Sequence, residues 1–170
     1  MGIIAASVTL NPIDLQKVIS WAPQEMHGAM NSFVGMVRSS NLGREVIAME
    51  YDCFIPLCEK IFTDIAQEAQ RKWATDANIC ILHRHGKLSV GEVSVAIIAT
   101  TGHRDESYRI TRYIIEEIKT RAPIWKKEYY LDKETEWVRG HALCQHRKVD
   151  HHEVAGSYSC GGKVHSHETR

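Results

Sequence analysis

The sequence lacks an excess of charge of either sign, because 21 lysines and arginines are balanced by 21 aspartates and glutamates. With a formal net charge of zero, no overall field attracts the chain to DNA, RNA or an anionic membrane. We therefore expect no nucleic acid and no membrane among its partners. A site for an anion would have to be a local cluster of basic side chains.

Long apolar runs, a basic leader and paired cysteines are also missing. No apolar run approaches the ~20 residues that a membrane-spanning helix needs. The opening MGIIAASVTLNP has no basic segment ahead of its apolar stretch, so we expect no secretory signal. The five cysteines are odd in number and form no CxxC pair. This usage favours a reducing compartment, and we expect a cytosolic protein.

The chain does contain enough apolar residues for one domain with a buried core, since 44% of its 170 residues are hydrophobic. The helical spacing of apolar residues predicts two main helices, over residues 56–74 and 107–123. Pro12 and Asp14 open a shorter predicted helix that ends near Pro23.

Short apolar or alternating stretches predict six strands, while residues 39–45 read as a loop and residues 88–91 as a turn. The strands are predicted over residues 28–37, 46–52, 77–86, 92–101, 124–131 and 134–140. Because they come in adjacent pairs between the helices, this order favours an α+β domain with a mostly antiparallel sheet over a doubly wound parallel sheet.

The character of the chain changes near Cys144, after which apolar residues are few and histidines are frequent. We predict a folded domain over residues 1–143 and a flexible tail containing histidine and cysteine over residues 144–170. Zinc or copper binding by this tail is an alternative to simple disorder. Its spacing matches no established zinc module, so no metal site is predicted.

Basic and polar side chains gather at three predicted element ends. Arg38 follows a strand, and His103 with Arg104 stands between a buried strand and a helix, whose N-terminus favours an anion. The third place is KTRAPIWKKE, residues 119–128, at the other end of the same helix. Taken singly, each group has an ordinary explanation as a surface residue, a cap or a complement to the helix dipole.

Taken together, these groups fall within a longer series of segments. Their order along the chain is GAMNSFVGMVRSSNLG, MEYDCFIP, ILHRHGKLSVGE, TTGHRDES and IKTRAPIWKKE. The series resembles the large, catalytic subunit of molybdopterin synthase, and the resemblance runs from about Gly28 to Trp137. It implies a fold of the α/β-hammerhead type, which agrees with the α+β pattern and its two main helices.

The resemblance also implies an activity and an assembly. Enzymes of this family are sulfurtransferases of molybdenum cofactor biosynthesis. They move sulfur from the C-terminal thiocarboxylate of a small ubiquitin-like subunit to cyclic pyranopterin monophosphate, or precursor Z, and so form the molybdopterin dithiolene. They are heterotetramers with a central homodimer of large subunits. No cofactor and no metal is implied.

Two lysines match the family's essential pair, so the resemblance implies that Lys119 and Lys126 are catalytic. Our hypothesis is that Lys119 contacts the donor's terminal carbonyl and assists acyl transfer. Lys126 would stabilise an oxyanion or enolate on the substrate, and the two roles could be exchanged. A lysine placed among other cations can also act as a base or nucleophile.

The remaining implied site residues share one task, which is to hold a substrate that carries a phosphate. Arginine suits this task because its guanidinium binds phosphate through two parallel hydrogen bonds. Together with the two lysines, the substrate-binding residues implied by the resemblance are Phe33, Arg38, His103, Arg104, Lys127 and Glu128.

The turn inside KTRAPIWKKE has a predicted role of its own. Pro123 should end the helix and fix the turn, and Trp125 should anchor it. Lys119 and Lys126 would then meet across the turn, near His103 and Arg104.

Two other functional classes stay open from the residues alone. One is a catalytically inactive scaffold that binds a ubiquitin-like partner. The other is a phosphate-ester or nucleotide enzyme, although the chain shows no glycine-rich phosphate loop and no acidic metal cluster.

In many members of the family an arginine after the last strand reaches the neighbouring subunit's site. Here that position is His141, with Arg139 close by, and either could take the role.

Overall fold

The computed structural model describes residues 1–21, 25–132 and 134–138. No helix within these ranges is both long and apolar enough to cross a membrane. The elements in chain order are β1 (Ile4–Thr9), α1 (Leu15–Ser20), β2 (Ala29–Met36), β3 (Ser40–Asn41), β4 (Arg44–Cys53), α2 (Ile55–Trp73), β5 (Asn78–Arg84), β6 (Gly86–Ser89), β7 (Val93–Thr101), α3 (Arg104–Arg121), β8 (Ile124–Tyr130) and β9 (Thr135–Val138).

The first sheet has the strand order β1-β5-β7-β2, with β1 parallel to β5 and the other pairs antiparallel. β1 was not among the predicted strands. Its Ile4 pairs with Ile79, which follows only after α2, so its pairing depends on a distant part of the chain. A parallel strand needs such a crossover connection, and local patterning does not reveal it.

Alternation along β5 and β7 divides the apolar residues between the two faces of this sheet. One face joins α2 and α3 in the main core, and the other packs on Val18 of the short helix α1. Cys80 and Ile98 contact Val18, while the main core contains Phe62, Ile65, Ile79, Ile81, Ile97, Ile110 and Ile114.

The second sheet is antiparallel throughout and is centred on β4, which pairs with β8 on one side and β6 on the other. β3 and β9 complete it. The predicted turn over residues 88–91 is wrong at its start, because Leu88 lies in β6 and is fully buried. The predicted loop over residues 39–45 is a tight hairpin that contains β3.

The predicted fold class is confirmed by these elements. The two main helices, α2 and α3, have 19 and 18 residues, and the sheets are mostly antiparallel with β1 and β5 as the parallel pair. The predicted tail over residues 144–170 lies outside the described residues, so the division at residue 143 stays a prediction.

The C-terminal end of α3 is held to α2 by one carboxylate. Glu68 accepts from both terminal nitrogens of Arg121, at 2.8 and 3.0 Å, and from the hydroxyl of Tyr113 at 2.7 Å. The Arg121 contact, helped by Tyr113, lowers the pKa of Glu68 to about 2 from its ordinary value of 4.5. This clamp holds the helix end from which the KTRAPIWKKE turn departs.

Glu68→Gln should lower the free energy of unfolding by about 1 kcal/mol at pH 7, because partial exposure weakens the charged contact. The folded-state pKa of Glu68 is depressed, so its contribution is present above about pH 4.5 and is lost as the pH falls toward 2. The difference between variant and parent in urea unfolding should therefore shrink over that window. Asp64→Asn, which removes an exposed ion pair with Lys60, is the control and should change stability less. An equal difference at pH 7 and pH 3 would contradict this account of Glu68.

Candidate functional site

A cavity of about 580 Å³ lies between the second sheet, the ends of β2 and β5, and the C-terminal half of α3. Apolar side chains such as Ile115 and Ile118 form part of its wall. Four of the residues implied by the resemblance also line this cavity, and they are Phe33, Arg38, Lys119 and Lys126. The fold therefore gathers into one place residues that are spread over more than half of the chain.

The turn after α3 brings the two lysines to this cavity. α3 ends at Arg121, Ala122 caps it, and β8 starts directly after Pro123. Lys119 on the last helical turn and Lys126 on the strand thus lie on either side of the turn and both line the cavity. The expected anchoring by Trp125 is wrong, since this side chain is 49% exposed.

The anchor is Ile124, which is 8% exposed and belongs to the main core. Alternation then sorts the rest of β8, because successive strand residues face opposite sides. Lys126 and Glu128 face inward with Ile124. Lys127 faces outward, with its Nζ 5.2 Å from the Tyr129 ring and 5.6 Å from the ring of Trp137. Lys127 is thus not among the residues that line the cavity.

Glu128 is a buried carboxylate with no exposed surface. Its Oε1 forms an ion pair with the Lys126 Nζ at 2.6 Å. Its Oε2 accepts from the Tyr130 hydroxyl at 2.5 Å and from the Asn41 Nδ2 at 2.8 Å. Burial by itself would raise the pKa of Glu128, but the contacts with Lys126, Tyr130 and Asn41 outweigh burial and lower it. The carboxylate is therefore ionised at neutral pH and holds the Lys126 ammonium group beside the cavity.

Arg38 connects to the same carboxylate through one intermediate. Its Nη2 donates to the Asn41 Oδ1 at 2.5 Å, and the amide nitrogen of Asn41 donates to Glu128. Arg38 itself is exposed at the mouth of the cavity. Asn41 follows Arg38 in the predicted loop over residues 39–45 and was not among the predicted site residues. Its position three residues after Arg38, within a short polar turn, was the available signal.

Two further cavity residues, Tyr51 and His83, were also missed. Tyr51 lies directly opposite Lys126 across the β4–β8 pair, and its ring meets the His83 ring edge-on at 5.2 Å. Burial lowers the pKa of His83 to about 4, although the contact of its Nδ1 with the Arg84 carbonyl acts in the opposite direction. His83 is therefore neutral at pH 7. It adds a polar but uncharged group to a wall that carries several cations.

His103 and Arg104 lie at the opposite end of α3 from Lys119. The 15 residues from Arg104 to Lys119 correspond to about 22 Å of helix rise. The expectation that the lysines lie near His103 and Arg104 is therefore wrong within one chain. His103 and Arg104 are both exposed, where a second molecule can reach them.

The described residues contain no group of three or more histidine, cysteine, aspartate or glutamate side chains suited to a metal ion. The candidates in the tail, as well as Arg139 and His141, lie outside the described ranges. The chemistry that the cavity itself offers is that of fixed cations. It can hold anionic groups and stabilise negative charge as it develops.

Glu128→Ala should lower the free energy of unfolding by about 3 kcal/mol, because it leaves the Lys126 ammonium and two hydrogen-bond donors without their buried acceptor. Urea unfolding at pH 7 measures this. Glu45→Ala, at an exposed position of β4 in the same sheet, is the control and should change stability by less than about 0.5 kcal/mol. A similar small change in both variants would show that the buried carboxylate is not required for the fold.

Comparison with known proteins shows which protein family the chain resembles. The model of the MoaE protein family matches residues 8–121. The molybdopterin synthase catalytic subunit of Synechococcus elongatus is 43% identical over 141 residues, which cover 83% of this chain and 86% of that protein. The subunit of the same name from Halalkalibacterium halodurans is 40% identical over 127 residues, with coverages of 75% and 80%.

Solved structures show the same similarity in three dimensions. Molybdopterin synthase from Staphylococcus aureus superimposes with a TM-score of 0.75 at 33% identity, over 79% of this chain and 96% of that chain. The molybdopterin biosynthesis MoaE protein of Burkholderia ambifaria gives a TM-score of 0.69 at 29% identity, with coverages of 85% and 94%. The architecture described above is therefore the one that these proteins adopt.

Proposed function

The chain belongs to the MoaE protein family, and from this membership we propose that it is the catalytic subunit of a molybdopterin synthase. It would be a cytosolic sulfurtransferase of molybdenum cofactor biosynthesis. The observation that carries the proposal is that Lys119 and Lys126 line one cavity with Arg38 at its mouth. The relatives that bear this name support the same assignment.

The proposed reaction brings two anions into the cavity. Precursor Z carries a phosphate, and the small ubiquitin-like partner carries a C-terminal thiocarboxylate. Arg38, Lys119 and Lys126 supply three positive charges for them, in a cavity that also has apolar walls. Because such walls exclude water, fixed charges act more strongly on the reacting groups there than they would in solution.

The contact with Glu128 favours different roles for the two lysines. The ion pair at 2.6 Å with the buried Glu128 carboxylate fixes the Lys126 Nζ in one place beside the cavity. We therefore assign Lys126 to the stabilisation of the oxyanion or enolate that develops on the substrate. Lys119 then contacts the terminal carbonyl of the donor. After the donor sulfur has bonded to the substrate carbon, Lys119 assists attack of water on that carbonyl, which breaks the sulfur–acyl bond and leaves the donor C-terminus as a carboxylate.

The position of His103 and Arg104 supports a dimeric site. If these residues bind the pterin or its phosphate as the resemblance implies, they cannot do so in the cavity of their own chain, about 22 Å away along α3. A second large subunit would supply them. This requirement agrees with the proposed heterotetramer, in which a homodimer of large subunits carries one small subunit on each protomer.

Lys119→Ala and Lys126→Ala should each remove most product formation, because each deletes a positive charge that acts on the reacting groups. The assay mixes the chain with thiocarboxylated small subunit and precursor Z and measures the dithiolene product. Lys60→Ala, on the exposed side of α2, is the matched control and should keep the parental rate. Near-parental turnover in both cavity variants would exclude this assignment, while binding of the small subunit without any product would favour the scaffold alternative.

Mixing two inactive variants tests the dimeric site. Lys119→Ala chains and chains with His103→Ala and Arg104→Ala should each be weakly active alone. After subunit exchange, about a quarter of the sites in the mixture combine an intact cavity with an intact neighbour, so activity should rise to roughly that fraction. No gain of activity, despite exchange shown by native mass spectrometry, would place all of these residues in the site of a single chain.

A further inference from the structure

We propose that Asn41 is a positioning residue of this site, which sets the places of Arg38 and Lys126 through one side-chain amide. The inference rests on the proposed function for its catalytic consequence. Its structural basis is the chain of contacts from the Arg38 Nη2 to the Asn41 Oδ1, from the Asn41 Nδ2 to the Glu128 Oε2, and from the Glu128 Oε1 to the Lys126 Nζ.

Only an amide side chain can satisfy both partners of Asn41, the Arg38 guanidinium and the Glu128 carboxylate. A guanidinium can only donate, so it needs the amide oxygen, and an ionised carboxylate can only accept, so it needs the amide nitrogen. Aspartate at this position would set a second carboxylate against Glu128, at the place where the amide nitrogen now donates over 2.8 Å. Alanine would remove both contacts. Asn41 thus joins a cation at the mouth of the cavity to an anion in its wall.

The backbone at Asn41 is held tightly enough for this task. β3 and β4 form a hairpin in which Asn41 pairs with Arg44, and the two residues between them adopt positive φ angles. These are Leu42 at 49° and Gly43 at 79°, the signature of a tight two-residue turn. A leucine in this conformation is unfavourable, and such residues concentrate where the surrounding structure fixes a functional geometry.

The other side of the hairpin reaches the same carboxylate. The Arg44 guanidinium stacks on the ring of Tyr130 at 3.6 Å, and the Tyr130 hydroxyl donates to the Glu128 Oε2. Arg44 is in turn held by Asp132 at 2.9 Å and by Glu134 at 2.7 Å. The hairpin therefore contacts Glu128 directly through Asn41 and indirectly through Tyr130, so both of its strands help to place the carboxylate.

Because the chain of contacts ends at Arg38 on one side and at Lys126 on the other, a change at Asn41 should affect catalysis in two ways. Loss of the Arg38 contact should weaken substrate binding, and loss of the Glu128 contact should misplace the Lys126 ammonium. Asn41→Ala should therefore raise the KM for precursor Z and lower kcat, with a combined loss in kcat/KM of about 10- to 100-fold. A change confined to folding would lower the amount of active protein and leave KM unchanged.

Asn41→Asp gives a readout that a purely structural role would not produce. Two adjacent carboxylates share a proton as the pH falls, and the protonated pair restores a donor toward Glu128 and an acceptor toward Arg38. Arg38 and Lys126 favour the ionised form of both carboxylates, so the deficit of this variant relative to the parent should be largest near pH 7.5 and at least about threefold smaller near pH 5. Asn11→Asp, at an exposed position after β1, is the control and should keep a constant ratio to the parent.

A second measurement does not depend on turnover. Trace acetylation followed by peptide mass spectrometry reports the reactivity of Lys126 relative to Lys60. The carboxylate introduced by Asn41→Asp adds negative charge beside the ion pair and attracts the Lys126 Nζ more strongly to the cavity wall, so labelling in this variant should slow about threefold or more at pH 8. Asn41→Ala removes the amide donor that places Glu128 and so misplaces the Lys126 ammonium. It should change Lys126 labelling by about twofold or more, and it replaces the aspartate variant if that variant does not fold.

The outcomes separate the two proposals. A parental chain that makes no product, with Lys126 labelling that responds to Asn41, would overturn the proposed function and retain the positioning role. An active parental chain whose Asn41 variants keep the parental pH profile, kcat/KM within twofold and unchanged Lys126 labelling would overturn the positioning role alone.

Discussion

The buried carboxylate of Glu128 is the constraint around which the candidate site is built. A charge without exposed surface is tolerated only when nearby groups satisfy it, and here those groups are three side chains from two elements of the chain. Lys126 and Tyr130 flank it on β8, and Asn41 reaches it from the β3–β4 hairpin. The position of Lys126 thus follows from the need to satisfy one anion.

This arrangement links stability to chemistry. In the absence of substrate, the positively charged side chains of the cavity would repel one another, and the negative charge of Glu128 offsets part of that repulsion. The same carboxylate fixes the direction of the Lys126 side chain through an ion pair at 2.6 Å, which suits stabilisation of developing negative charge better than nucleophilic attack. Lys119 lies on the last turn of α3, on the other side of the turn from Lys126. The contact between Glu68 and Arg121 fixes this end of the helix. The site is therefore held by two carboxylates with separate tasks.

Much of the fold could be predicted from local patterns. Periodic apolar residues identified both long helices, and short apolar or alternating stretches identified β2, β4, β5, β7, β8 and β9. β1 was missed because its partner follows α2, and β6 was missed because Leu88 is buried by neighbours that lie far away in sequence. The KTRAPIWKKE segment suggested a site, but Trp125 was given the anchoring role that belongs to Ile124. Both residues are apolar, and only strand alternation after the turn decides which of them faces the core.

Residue types and their spacing show which groups are available to the site. These are two lysines around a proline turn, basic residues at element ends, and a series of segments that identifies the family. Residue identity and spacing are local properties, so they can be read without a fold. Tertiary structure alone decided which groups share a cavity. It joined Arg38 to Lys126 through Asn41 and Glu128, turned Lys127 to the outer face of β8, and set His103 and Arg104 a helix length away from Lys119. Those relations depend on strand register, on the direction of side chains along β8 and on the length of α3, which join parts of the chain that are distant in sequence.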